Sequence, residues 1–294
     1  MMRSEIDVLT PQSLDDALDI LHKQEPGLRI VAGGSDVIVQ LRDGVMKAEK
    51  LLNILSLEEL RFIRRRDDQI HIGSLSTYSD IINSPLTRDH AWILVEAAKQ
   101  IGAIQLQNTA TIGGNLGNAS PAGDSLPPLY ALDAVVVTRS KADRRETPIE
   151  RFFVSYRKTT LRPDELIEEV YFKPMNSKDR GAYIKLGLRE ANAISIVDVA
   201  VALRGRSSND SFTEARVSLG AVAPVITRAR KSEKALERKP LNEKTLWEAA
   251  TFAAEDAAPI DDIRGSAEYR KNVVVSSVYQ ALHEALYGRR KAHG

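Results

Sequence analysis

Apolar positions along this chain follow two rhythms, helical and alternating, and the changes of rhythm divide it into units. Leu14, Ala17, Leu18 and Leu21 make one helical stripe across residues 13–23. Ser13 is placed to cap that helix, and Asp15 and Asp16 suit its first turn. Pro26 and Gly27 end it, and residues 28–32 follow as a short apolar strand running into Gly33 and Gly34. Residues 51–55 are a second short apolar run. Residues 60–74 then read as two strands around the charged turn 64–68, an exposed hairpin tip. Helices are expected over 77–82 and 91–101, the second with Ile93, Leu94, Ala97 and Ala98 on one face. Strands are expected over 131–138 and 166–172. After a polar, turn-rich stretch at 174–181, three strands (183–188, 196–203 and 214–222) precede two long helices, 245–258 and 267–287. That order predicts an α+β chain of three units, 1–56, 57–176 and 177–294. The last would be a three-stranded antiparallel sheet backed by helices.

Composition narrows the function more than the fold. The chain has 294 residues, too many for one small core. Its 41 Lys and Arg against 40 Asp and Glu give a formal net charge of +1, which argues against a nucleic-acid or membrane-surface binder. The basic run Arg289-Arg290-Lys291 reads as a solvated helix end. With no cysteine, the chain cannot supply a disulfide, a catalytic thiolate or the thiolates of an iron–sulfur cluster, and it suits a reducing compartment. Residues 1–9 lack the apolar run of a signal peptide, and no apolar stretch reaches membrane-spanning length. A soluble, cytoplasmic protein is expected.

Two glycine turns carry the candidate chemistry. The first, Val31-Ala32-Gly33-Gly34-Ser35-Asp36-Val37, follows a predicted strand. Paired glycines let backbone N–H groups approach phosphate oxygens, and the Ser35 hydroxyl adds a donor. Asp36 would repel a phosphate, so its carboxylate should turn away or meet a hydroxyl. Such a pair by itself is more often a structural turn. The second segment spans residues 109–124, poor in charge and without regular apolar spacing. Its Thr111, Asn115, Ser120 and Asp124 offer partners for the alcohols of a sugar or ribityl chain, although a long surface loop has the same composition. Gly-x-Gly-x-x-Gly and the P-loop ending Gly-Lys-Ser/Thr are both missing, which argues against a Rossmann dehydrogenase or an ATPase.

Together, Ala32-Gly33-Gly34-Ser35-Asp36 and Thr111-Ile112-Gly113-Gly114-Asn115 resemble the two FAD-binding motifs of molybdenum hydroxylase flavoproteins. These are the medium subunits of the carbon monoxide, xanthine and nicotinate dehydrogenase type. Asn118-Ala119-Ser120-Pro121-Ala122-Gly123-Asp124, the lead-in Ile101-Gly102, and Lys185-Leu186-Gly187-Leu188-Arg189 extend the likeness over nearly the whole chain. The resemblance implies a two-part FAD-binding region of the vanillyl-alcohol-oxidase (PCMH) type, followed by a C-terminal flavoprotein domain. It implies that Ile30, Val31, Ala32, Gly33, Gly34, Ser35, Asp36 and Val37, with Thr111, Ile112, Gly113, Gly114 and Asn115, cradle the FAD pyrophosphate. Asp124 and the backbone near Ile167 would meet the ribityl or adenosine portion, and Lys185 would approach the flavin ring as a cation. The molybdenum cofactor would sit on a large partner subunit and two-iron two-sulfur clusters on a small one, in a dimer of heterotrimers. The absence of cysteine departs from the hydroxybenzoyl-CoA reductase type, whose flavoprotein carries a further cluster.

Other chemistry has little support. The five histidines lack paired metal spacing, and Ser35, Ser120 and Ser125 lack a nucleophile elbow. Glu58-Glu59 and Asp261-Asp262 are expected to face water, and Trp92 and Trp247 to lie in the core. Two alternatives of other classes are a stand-alone FAD oxidoreductase resembling UDP-N-acetylenolpyruvylglucosamine reductase, and a non-redox nucleotide-binding or assembly subunit.

Overall fold

The computed structural model describes residues 6–207 and 211–288. The basic run at 289–291 and most of the N-terminal segment lie outside the described residues. The first unit is a three-stranded parallel sheet, order β1-β3-β2, made of β1 (Asp7–Leu9), β2 (Leu28–Val31) and β3 (Lys50–Asn53). Helix α1 (Leu14–His22) lies between β1 and β2, capped by Ser13 Oγ, which accepts from the Asp16 N–H at 3.1 Å. Its stripe Ala17, Leu18 and Leu21 packs on Leu52, Ile54, Leu57 and Leu60, and also on Leu75 and Leu166 of the next unit. A six-residue helix, α2 (Val37–Arg42), follows the first glycine turn.

The second unit centres on a five-stranded antiparallel sheet, order β4-β5-β10-β6-β7. Strands β4 (Ile63–Arg66) and β5 (Gln69–Gly73) form the expected hairpin, turned by Asp67 and Asp68, both with positive φ. Helices α3 (Tyr78–Asn83), α4 (Pro85–His90), α5 (Trp92–Lys99), α6 (Ile104–Thr109), α7 (Ile112–Asn118) and α8 (Leu126–Ala131) come next. They lead into β6 (Val135–Arg139), β7 (Arg144–Pro148), α9 (Ile149–Phe152), the small ribbon β8 (Phe153–Ser155) and β9 (Lys158–Thr159), and β10 (Leu166–Phe172). Within the low-charge stretch 109–124, residues 112–118 are therefore helical, and the remainder after Asn118 runs as turns. The strand expected over 131–138 begins only at Val135, because Ala131 ends a helix and Asp133 turns the chain with φ of 51°.

The third unit has four antiparallel strands, not the three expected. They are β11 (Arg180–Gly187), β12 (Ser195–Arg206), β13 (Phe212–Gly220) and β14 (Thr227–Arg228). The extra strand pairs only Ser218 with Arg228 and Leu219 with Thr227, too short to leave an alternating pattern. Helices α10 (Arg230–Leu236), α11 (Glu243–Asp256) and α12 (Ala267–Tyr287) back this sheet, and Leu246, Ala249, Ala250, Ala253, Val274, Val278 and Leu282 meet its apolar face.

Two side-chain expectations are corrected. Trp247 is 48% exposed and stacks on Tyr279 at the surface of the α11–α12 pair. Asp262 does not simply face water: it pairs with Arg264 at 2.7 Å and with the fully buried Arg270, whose guanidinium also donates to the Ala221 carbonyl. Trp92 is partly buried, its indole N–H reaching Gly181 O at 3.0 Å, which ties α5 to β11. Tyr183, Ala200, Ala202 and Ile226 from the third unit join the second unit's core, so these two units share apolar packing. Among the described residues no helix is long and apolar enough to cross a membrane.

Candidate functional site

The first glycine turn sits where β2 leaves the parallel sheet, and it rests directly on the second glycine segment. A Cβ added to Gly33 would lie 1.8 Å from the Thr109 carbonyl oxygen, so only glycine allows this approach. Gly34 has φ of 71°, the left-handed region that turns the chain back toward α2. None of the hydrogen bonds among the described residues takes the N–H of Gly33, Gly34, Ser35, Asp36 or Val37. Five successive main-chain donors are thus left for an anion. Asp36 is turned onto protein. Its carboxylate accepts from Asn118 Nδ2 at 2.9 Å, and Gln40 Nε2 closes the staple by donating to Asn118 Oδ1 at 2.9 Å.

The second segment is built differently. Thr111 caps α7, its hydroxyl accepting from the Gly114 N–H at 3.1 Å, while the N–H groups of Ile112 and Gly113 go to Ser76 O and Ser74 O. The first amides of α7 are therefore consumed internally, and this helix start offers few free donors. Gly113 is packed, since a Cβ there would lie 2.5 Å from Ser74 Cβ. Gly114 and Gly117 are exposed on one helix face, three residues apart. Gly117 also faces Ile167 on β10, whose Cδ1 would lie 3.8 Å from a Cβ placed there. Asn115 Oδ1 accepts from Ser125 Oγ at 2.9 Å, and Tyr78 OH lies 3.0 Å from that same hydroxyl. Ala119, with φ of 50°, ends the helix.

Beyond α7 the chain passes Ser120, whose hydroxyl accepts from the Ala122 N–H, and buries Asp124. Asp124 is fully engaged by protein. Oδ2 accepts from Lys185 Nζ at 2.7 Å, and Oδ1 accepts from Ser195 Oγ at 2.6 Å with Tyr183 OH at 3.3 Å. Burial raises the Asp124 carboxyl, and the Lys185 ammonium opposes that rise. Lys185 also donates to Gln100 O at 2.9 Å and lines a cavity of ≈ 290 Å³ with Gln100, Leu186, Gly187, Arg189 and Ala193. Although β11 is an edge strand, Lys185 is buried rather than solvated, its side chain 6% exposed. Ile101 lies at the end of the α5 segment, its carbonyl accepting from Gln107, and Ile30 is half-buried on β2.

The structure thus brings Ala32 to Val37 against the second segment, and joins that segment to Lys185 through Asp124. Tyr183, Ser195 and Asp198 belong to the same cluster and escaped the sequence reading. Asp198 did leave a signal, as the one ionisable residue inside the apolar run 196–203. It is fully buried on β12 opposite Lys185, with Oδ2 3.1 Å from Tyr183 OH.

Comparison with known proteins fits this geometry. Residues 4–173 match the FAD binding domain in molybdopterin dehydrogenase, and residues 182–285 match the CO dehydrogenase flavoprotein C-terminal domain. The xanthine dehydrogenase FAD-binding subunit of Escherichia coli O157:H7 is 31% identical, over 93% of this chain and 94% of that one. The nicotinate dehydrogenase FAD-subunit of Eubacterium barkeri is 30% identical, over 92% of each. A chain of the solved carbon monoxide dehydrogenase from Hydrogenophaga pseudoflava superposes with a TM-score of 0.93 at 27% identity, covering 99% of this chain and 100% of that chain. With both halves matched in order and the two glycine turns meeting inside the first, the chain belongs to the FAD-binding flavoprotein family of the molybdopterin dehydrogenases.

Proposed function

We propose that this chain is the FAD-carrying electron-transfer subunit of a heteromeric molybdenum hydroxylase. In that role it takes electrons from an iron–sulfur subunit and passes them to an external acceptor. The observation that carries the reading is the seating of the five-donor turn at Gly33–Val37 on the Thr109 carbonyl, stapled through Asp36, Asn118 and Gln40. Unused main-chain donors on a glycine turn suit a pyrophosphate, which needs N–H groups and close backbone approach. The residues present therefore fit FAD. Ala32 to Val37 would hold the phosphates, and the exposed face of α7 at Gly114 and Gly117 would lie along the cofactor. The Lys185 end of the Asp124 cluster would meet the ring system, where a cation favours negative charge.

FAD, when bound, supplies exchange of electrons with a relay on one side and an acceptor on the other. The chain's own contribution is to bind, orient and set the local charge. A small subunit with two-iron two-sulfur clusters and a large subunit with the molybdenum cofactor complete the unit we propose, assembled as a dimer of heterotrimers. A cysteine-free chain is in keeping with that division of labour and with a reducing cytoplasm. The relatives named above for xanthine, nicotinate and carbon monoxide dehydrogenases support the assignment of class without selecting a substrate.

The test is a cofactor census on the tagged chain purified from its own cells. FAD near one per chain, with molybdenum and iron on co-purifying larger and smaller polypeptides, is the expected result. FAD on a solitary chain that turns over an organic substrate would replace this reading with a self-sufficient oxidoreductase, and absence of flavin would overturn it.

A further inference from the structure

Behind Lys185 lies a chain of buried groups whose hydrogen bonds cannot all be made with both carboxylates ionised. Tyr183 OH stands between two carboxylates, 3.3 Å from Asp124 Oδ1 and 3.1 Å from Asp198 Oδ2. A phenol has one proton to donate and can satisfy only one of them. The second contact needs a proton from the carboxyl side. We propose that Asp198 carries that proton, donating to Tyr183, which donates to Asp124, so that Asp198, Tyr183, Asp124 and Lys185 form one proton-sharing chain ending at the cavity wall.

The surroundings decide which of the two acids is neutral. Asp124 accepts from Lys185 at 2.7 Å and from Ser195 at 2.6 Å, two bonds that stabilise its charge. Asp198 is fully buried, with no cation in contact. Its Oδ1 has no hydrogen-bond partner, and a Cβ on Gly220 would lie 2.1 Å from that oxygen. An ionised carboxylate with an unpartnered oxygen in a fully buried site is far costlier than a neutral acid there. The strand that carries Asp198, β12, is flanked by β11 and β13, with α8 and α12 packed against it. From β11 come Tyr183 and Lys185, the segment before α8 brings Asp124, Arg264 donates to Ser195 O and α12 brings Arg270, which donates to Ala221 O, both arginines pairing with Asp262. Burial first, and the Asp124 charge second, push the Asp198 carboxyl well above its ordinary value.

The consequence concerns charge at the site. With Asp198 neutral, the cluster is a balanced Asp124–Lys185 pair. With it ionised, the wall of the cavity would carry a net negative charge just where electrons are to be gathered. The functional meaning rests on the reading that Lys185 faces flavin, but the proton itself does not, so its test uses the full-length chain stripped of flavin. Infrared spectroscopy in light and heavy water, with carbon-13 in the aspartate carboxyls, should reveal one protonated aspartic acid at neutral pH. Its band should persist to pH values at which ordinary carboxylic acids are fully ionised. Asp198→Asn should abolish the band, and Tyr183→Phe should keep it but shift its frequency, since the acceptor is gone. A band that titrates away in the ordinary carboxylate range, or one that survives unchanged in Asp198→Asn, overturns the assignment. Should Asp198→Asn fail to fold, the wild-type titration and the Tyr183→Phe shift still decide. The flavin reading stands or falls separately, on the FAD content of the purified complex.

Discussion

Gly113 and Gly114 are neighbours with different duties. A methyl on Gly113 would press on Ser74 at 2.5 Å and on its carbonyl oxygen at 2.7 Å, where backbone must shift. Gly113→Ala should therefore cost about 1–3 kcal/mol of stability, as overpacking does, and a denaturant titration would measure it. At Gly114 a Cβ meets only the Thr111 hydroxyl at 3.0 Å, and the residue is exposed. Gly114→Val should leave the fold within about 1 kcal/mol of wild type but weaken FAD binding roughly tenfold or more, because its side chain would enter the face offered to the cofactor. Flavin titration followed by fluorescence would check this, and full affinity in the variant would remove α7 from the cofactor cradle. The glycine pair was legible in the sequence, but the difference between its members was not, since it depends on Ser74, 39 residues earlier in the chain.

Among the elements, α7 is the least legible and leans on partners distant in the chain. Its sequence, Ile-Gly-Gly-Asn-Leu-Gly-Asn, has poor helix propensity and no apolar period. It is helical because Thr111 caps it and because Ser74 and Ser76 carbonyls accept its first amides. Thr111→Ala should cost about 1 kcal/mol and Thr111→Ser should restore most of that, read as the shift in urea midpoint. The long helices were the opposite case. The ends of α12 coincide with the expected span, its start fixed by Ser266, whose hydroxyl accepts from the Tyr269 N–H at 3.1 Å. Regular apolar spacing over many residues announces an element, whereas a seven-residue, glycine-rich segment held by tertiary partners does not.

The whole molecule adds charge networks that tie units together. Asp133 pairs with Arg216 and Arg228 and Lys185 with Asp124, both joining the second and third units, while Asp262 pairs with Arg264 and Arg270 within the third. The hydrogen bonds from Arg264 hold the Asp262 carboxyl well below its ordinary value of 3.8, with Arg270 adding to the effect. A carboxyl lowered in the folded state contributes stability that is complete above its unfolded value and is lost as pH falls through the folded one. Asp262→Asn should thus lower the melting temperature at neutral pH, and the gap to wild type should close below about pH 4. Thermal melts across a pH series would check it; a gap that stays constant on acidification would contradict the assignment. Because Tyr183, Ala200 and Ala202 share a core with the second unit, those two units should also unfold together, giving coincident transitions by circular dichroism and tryptophan fluorescence.

The helix-and-strand order of most long elements and the two glycine turns are legible along the chain, because each of these is written in local spacing. Its resemblance to a family also supplied the cofactor class. Which donors remain available is set by the fold. It consumed the amides of α7, left those of Gly33 to Val37 unused, and buried Lys185 on an edge strand against Asp124. It also set Asp198, Tyr183 and Ser195 around one carboxylate, although Ser195 lies 71 residues from Asp124. The physical reason is that hydrogen-bond satisfaction and desolvation belong to pairs of groups meeting in space, and no period in the chain records which pairs will meet.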